Sequence, residues 1–137
     1  MIATLEIQKS LFTALSGDST LTALIPADHI VDAIDLPDLP ALRIGDIVEG
    51  ASGLTLYDDH MRLVVTLHAF TRETGKLENA TILKRIRDVT LNDWKPTLAG
   101  FALNDFRFDS VRFMRDGADP AICHGVLSFD ALVEVAP

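Results

Sequence analysis

Met61-Arg62-Leu63-Val64-Val65-Thr66-Leu67-His68-Ala69-Phe70 is the stretch on which the fold turns. Met61, Leu63, Val65, Leu67 and Ala69 fall on one side of an extended chain; Arg62, Val64, Thr66, His68 and Phe70 fall on the other. Such alternation specifies a strand, because a helix would repeat its apolar positions every three or four residues. One side is apolar throughout and the other mixed, the pattern of a central antiparallel strand covered by helices on one face.

The same period appears on both sides of this segment. Ala41 to Val48 follows Pro40 and sets Leu42 and Ile44 against Arg43 and Gly45, so it reads as a strand. Gly50-Ala51-Ser52-Gly53 reads as a flexible connection into the Met61 strand. Phe101–Arg115 and Ala121–Val135 are two long strand patterns joined by Asp116-Gly117-Ala118-Asp119-Pro120, a hairpin signal whose proline cannot extend the ladder. In the last strand Cys123, Gly125, Leu127, Phe129, Ala131, Val133 and Val135 alternate with His124, Ser128, Asp130 and Glu134. Asp109-Ser110 interrupts its partner and predicts a bulge.

Two helices frame these strands. Ile2 to Leu15 places Leu5, Ile7, Leu11, Phe12 and Leu15 on one side of the helical wheel, with Glu6, Lys9, Ser10 and Thr13 opposite. Gly17 is expected to end it in the left-handed conformation, and Asp18 or Ser19 to cap a short turn reaching Ile25. The acidic, proline-punctuated run from Asp28 to Pro40 reads as surface loop with a brief strand at His29–Val31. A second helix is expected from about Gly75 to Asn92, with Ile82, Leu83, Ile86 and Val89 inward, Lys84, Arg87 and Asp88 outward, and Trp94 over its exit. The order is α-β-β-α-β-β. It predicts an α+β fold, a mainly antiparallel β-sheet with two helices packed on one face, as a single domain over residues 1–137.

Composition excludes whole classes of function. The chain has 137 residues, 48% apolar and 23% charged, with a mean hydropathy of +0.25. Twenty acids against twelve bases give −8, which argues against a general nucleic-acid binder. No apolar run approaches the ~20 residues of a membrane span, and the mixed-polarity opening after Met1 leads to the expectation of no secretory signal. The single Cys123 rules out an internal disulfide framework. The charge is segregated: residues 1–60 are acidic, 61–115 basic and 116–137 acidic again. Either this is a solvated surface, or oppositely charged faces meet between identical subunits in a heterologous contact that closes into a ring.

Nothing in the sequence builds a catalytic centre. Cys123 and His124 are strand neighbours and point to opposite faces, and no nucleophile elbow or phosphate loop occurs. Asp58-Asp59-His60, His68 and His29 with Asp32 are the only groupings near metal-ligand chemistry, and none has convergent spacing. The expectation is therefore no enzyme, no cofactor and no metal. On these residues alone, a monomeric or dimeric cytosolic domain that binds a small ligand or a partner remains the rival reading.

Three stretches taken together carry a resemblance. They are Leu39-Pro40-Ala41-Leu42-Arg43-Ile44-Gly45, Arg62 through Arg72, and Val111-Arg112-Phe113-Met114-Arg115-Asp116-Gly117 followed by His124-Gly125-Val126-Leu127-Ser128-Phe129-Asp130-Ala131-Leu132-Val133-Glu134. With the Leu5-to-Leu15 helix, this set resembles the tail-terminator, or tail-completion, proteins of long-tailed phages, in the form found in gene transfer agents and related prophages. Family members often have an aromatic after the first proline and Asp-Pro-Asp-Gly in the hairpin, where this chain has Ala41 and Asp116-Gly117. The resemblance implies a homohexameric ring in the virion, assembled in the bacterial cytoplasm. That ring would cap the head-proximal end of the tail tube, stop its growth and join tail to neck. Its partners would be the tail tube protein on one side and the neck or head-completion protein on the other, with DNA passing through without specific binding. No catalytic residues carry over. The long strands are expected to line or approach an acidic channel, with Thr71, Arg72, Glu73 and Lys76 in one docking loop and Asp116, Gly117 and Asp119 in another.

Overall fold

The structure, a computed structural model, describes residues 2–32, 35–53 and 59–136. Helix α1 (Thr4–Ser16) is followed by a short α2 (Ser19–Thr22), a 3-10 turn (Ala27–His29) and β1 (Ile30–Val31). Then come β2 (Ala41–Ala51), β3 (His60–Arg72), α3 (Leu77–Asp88), a π-turn (Val89–Asp93), β4 (Phe101–Arg115) and β5 (Ile122–Val135). The sheet runs β1-β2-β3-β5-β4, antiparallel except for the parallel β1–β2 pair. The fold is α+β with the helices on one face, as the pattern of apolar residues predicts.

β3 is the central strand. Its pairing with β5 runs without a break from His60↔Glu134 to Arg72↔Ile122. Leu63, Val65, Leu67 and Ala69 are fully buried and form one core with Ile7, Leu11 and Leu15 of α1 and Ile82 and Ile86 of α3. β4 follows β5 through the predicted bulge between Phe108 and Ser110 and a second between Leu103 and Asp105. β2 extends beyond its expected end, because Gly50 and Ala51 pair with Arg62 and Met61.

Several local readings are corrected by the packing. Gly17 keeps a right-handed φ of −90°; the chain leaves α1 because Asp18 turns extended and its carboxylate accepts the Leu21 N–H. Leu5 is 71% and Phe12 40% exposed, so the sheet covers a narrower arc of α1 than the wheel suggests. The second helix stops at Asp88, where the ladder loosens into a π-turn closed by the Trp94 N–H on the Val89 carbonyl. Its start is set by Glu73, whose carboxylate accepts the N–H groups of Glu78 and Asn79.

Two long-range polar contacts fix the helices to the sheet. Glu49 of β2 accepts hydrogen bonds from the Ala3 and Thr4 N–H groups and the Thr4 hydroxyl, capping α1 from another strand. Asn79 of α3 is fully buried and its Nδ2 donates to the carbonyls of Ala69 and Cys123 and to Thr71 Oγ1. Its Oδ1 occupies the space a side chain at position 125 would fill, 2.0 Å from an ideal Cβ there. Gly125 is thus the residue that lets α3 sit against β3 and β5.

Candidate functional site

The two loops suggested as docking elements come together at one end of the sheet. Arg115, the last residue of β4, reaches across and donates to the carbonyls of Glu73, Thr74 and Gly75 at 2.7, 2.8 and 2.6 Å. Arg72 pairs with Asp119 at 3.0 Å, and the Glu73 N–H donates to the Ala121 carbonyl at 3.1 Å. One guanidinium satisfying three carbonyls makes the loops a single shaped surface. The roles within it differ. Thr71 is buried and belongs to β3, as does Arg72, so the loop proper is Glu73–Lys76.

Glu73 faces inward as a helix cap. Burial opposes its ionisation, but hydrogen bonds from Thr71, Asn79 and Glu78 and the nearby Arg115 charge hold its carboxyl below the usual range. Asp119 is likewise held down, by the Ala121 N–H and then by Arg72. Lys76 lies 5.7 Å from the Phe113 ring centroid, and Gly117 sits exposed at the tip of the hairpin. Asp116 accepts the Ala118 N–H, which shapes that tip.

The sheet face away from the helices carries a polar chain the sequence did not join up. His68 Nε2 lies 2.9 Å from Asp46 Oδ2, and His68 Nδ1 lies 2.8 Å from His124 Nε2. A carboxylate only accepts, so the Nε2–H of His68 donates to Asp46. Asp46 sits at the irregularity between Gly45 and Val48 with φ of 58°, a left-handed residue that bends β2 and aims its carboxylate at His68. Phe70 stacks on His124 at 4.3 Å. Burial, then the neighbouring His68 and Arg43 charges, push the His124 pKa below its ordinary value. The His68–His124 bond joins β3 to β5 across one face, a structural use of histidine. Cys123 points to the other face, where burial pushes its thiol pKa up.

The groupings weighed for metal binding resolve into hydrogen bonds. His29 Nδ1 meets the Pro40 carbonyl at 3.0 Å, and His60 lies between Asp59 and Glu134. Asp58 lies outside the described residues. No group of three or more His, Cys, Asp or Glu among the described residues is placed to hold a metal ion.

The open face is of mixed sign and not acidic. Arg62 pairs with Asp130, Arg107 with Asp105, and Arg43 lies over Phe70. The surplus acid lies on the β1 side of the molecule, where Asp28, Asp32, Asp35 and Asp38 are found. The interleaved charges of α3 are largely paired: Lys84 with Asp88, and Arg85 with the capping Asp18 through two bonds of 2.7 and 2.8 Å.

Comparison with known proteins follows this geometry. The fold is similar to a chain in the virion of a native gene transfer agent (GTA) particle. The TM-score is 0.78 at 18% identity, over 96% of this chain and 97% of that one. At that identity the likeness shows the fold. No curated protein sequence matches the chain. Residues 9–134 match the family described as tail completion protein gp17, a span that includes every strand but the last residue of β5 and the C-terminal part of α1. The chain belongs to that tail completion family, and is a structural protein of a phage-like tail, not an enzyme.

Proposed function

We propose that this chain, acting as a single ring-forming domain, assembles as a homohexamer at the head-proximal end of a phage-like tail. There it stops growth of the tube, joins the tail to the neck and leaves a channel for DNA. Membership of the tail completion family over residues 9–134 carries this reading. The shared fold with a chain of a gene transfer agent virion is consistent with it.

The molecule suits the task in two respects. Its loops Glu73–Lys76 and Asp116–Ala121 are locked into one end of the sheet by Arg115, giving a firm surface for the tail tube protein or the neck protein. Its charge of −8 is repeated in every copy, so a ring repels DNA as a whole and lets it pass without holding it. Assembly in the bacterial cytoplasm before incorporation in the particle follows from the same role.

The test is a measurement of mass by light scattering, alone and with tail tube protein, together with electron microscopy of particles lacking the gene. A ring of six 15.0 kDa chains and tails of uncontrolled length in its absence are expected. A single-chain mass in both conditions, with tails of normal length, would defeat the reading.

A further inference from the structure

The two contacts of His68 on the open sheet face respond differently to a proton. Its Nε2 meets Asp46 Oδ2 at 2.9 Å, and that carboxylate accepts from the ring whether the ring is neutral or charged. Its Nδ1 meets His124 Nε2 at 2.8 Å, and two nitrogens so close hold a single hydrogen between them. One of the two must keep a bare lone pair. The bond therefore survives with both rings neutral, or with one added proton on either ring. With both rings charged, two N–H groups face each other and no bond exists.

The surroundings set how hard the second proton is to add. Arg43, His68, Val126 and Arg112 stand opposite one another in one row across four strands, with Phe70, His124 and Met114 in the next. Arg43 on β2 and Arg112 on β4 form no ion pair among the described residues, so their charges are not neutralised there. They and the first imidazolium oppose a second proton; Asp46 on β2 and Asp116 at the end of β4 favour it. His68 is 8% exposed and anchored on Asp46. His124 is half-buried, its Nδ1 has no partner among the described residues, and it is the ring with freedom to move. The β3–β5 ladder runs unbroken on both sides of the pair, so the rings can part while the strands stay together.

We propose that the Asp46–His68–His124 chain is a proton-operated latch on the open face of the sheet. It stays closed with both imidazoles neutral or with one charged, and it opens when both are charged. Opening separates His124 from His68, frees Phe70 of the ring stacked on it at 4.3 Å and turns the Arg43–Arg112 row strongly cationic. The two protonation steps belong to the pair and not to either ring. This device is independent of the ring reading, since every group in it lies within one chain.

Imidazole nitrogen NMR on the full chain tests it, from about pH 8 down to the pH at which the chain unfolds. The four histidines are assigned by single His→Gln variants. His68 and His124 are expected to titrate as a coupled pair in two steps, with the NOE between their rings kept through the first and lost in the second. That loss should precede global unfolding. In His68→Gln, His124 should titrate closer to its ordinary 6.5, because one opposing charge is gone. Stability gives a second readout. The His124 pKa lies below 6.5, so the folded chain takes this proton less readily than the unfolded one, and stability falls as pH drops through and below that value. His124→Gln, whose amide can still donate to His68 Nδ1, should lack this part of the fall in urea midpoint. Independent single-step titrations, an NOE that outlasts double protonation, or a second proton taken up only on global unfolding would each overturn the latch. So would an equal acid loss of stability in wild type and His124→Gln.

Discussion

Replacing Gly125 with alanine puts a methyl carbon 2.0 Å from Asn79 Oδ1 and 2.7 Å from Leu83 Cδ1. The Leu83 contact is the end of a side chain that rotates away; the Asn79 contact is not so easily relieved. The two Nδ2 hydrogens of Asn79 are shared among three acceptors at 2.9, 3.2 and 3.1 Å, so moving its Oδ1 breaks bonds in a fully buried site. Overpacking of this kind costs about 1–3 kcal/mol, and loss of a buried network brings Gly125→Ala to the upper end, about 3 kcal/mol. For a chain of this length that is a fall of about 10 °C in Tm.

Asn79→Ala alone removes the Nδ2 bonds but also removes Oδ1, which has no partner among the described residues. Its cost is therefore about 1–3 kcal/mol. The decisive measurement is the double variant. With Asn79 truncated, the methyl added by Gly125→Ala enters vacated space, so the pair should be no less stable than Asn79→Ala by itself. That is a coupling of about 2–3 kcal/mol in urea denaturation followed by circular dichroism, all variants at one protein concentration because association adds apparent stability. Additivity within about 0.5 kcal/mol would refute the account of Gly125 as the seat of Asn79.

Asp18→Asn keeps the helix cap, since asparagine caps as well as aspartate, and deletes only the charge facing Arg85; a loss of about 1 kcal/mol is expected. The Arg85 hydrogen bond holds the Asp18 carboxyl below its ordinary 3.8, so this stability is present above that pH and is lost as pH falls further. The gap between wild type and Asp18→Asn should accordingly be constant from pH 7 to about 5 and close in stronger acid; a gap unchanged at about pH 2 would contradict the pairing. Cys123 is 1% exposed with its thiol pKa pushed up, so a thiol reagent at about pH 8 should react with it only on unfolding, and rapid labelling of the native chain would count against the register of β5. Arg115→Met should expose the Glu73–Gly75 segment to proteolysis at rates at least about tenfold above wild type while Tm falls by only a few degrees; equal cleavage would show that the guanidinium does not hold the loops together.

The sheet could be read from the sequence because a strand's signal is local. Alternation in Met61–Phe70 and Ile122–Val135 states which side faces the core without reference to any other segment. The bulge at Asp109-Ser110 and the Asp116–Pro120 hairpin were legible for the same reason. Family membership was legible too, through the His124-Gly125-Val126-Leu127 region. What that region does was not. Gly125 reads as an ordinary small strand residue until Asn79, distant in sequence, is set against it.

The candidate surfaces divide in the same way. Sequence identified the two loops as separate polar turns, and only the close of the sheet brings Arg115 onto the carbonyls of Glu73–Gly75 and makes them one surface. The Asp46–His68–His124 chain needed a left-handed residue in β2 and the register of three strands. A helical wheel placed Leu5 and Phe12 with Ile7 and Leu11, because it records direction around an axis and not how wide a face the neighbour covers. By itself, then, the sequence determined the main elements, the inward face of the Met61–Phe70 and Ile122–Val135 strands and the segregation of charge, all properties of short windows. Tertiary structure decided which apolar residues stay uncovered, which charges pair and which glycine is indispensable, since each depends on atoms brought together from distant parts of the chain.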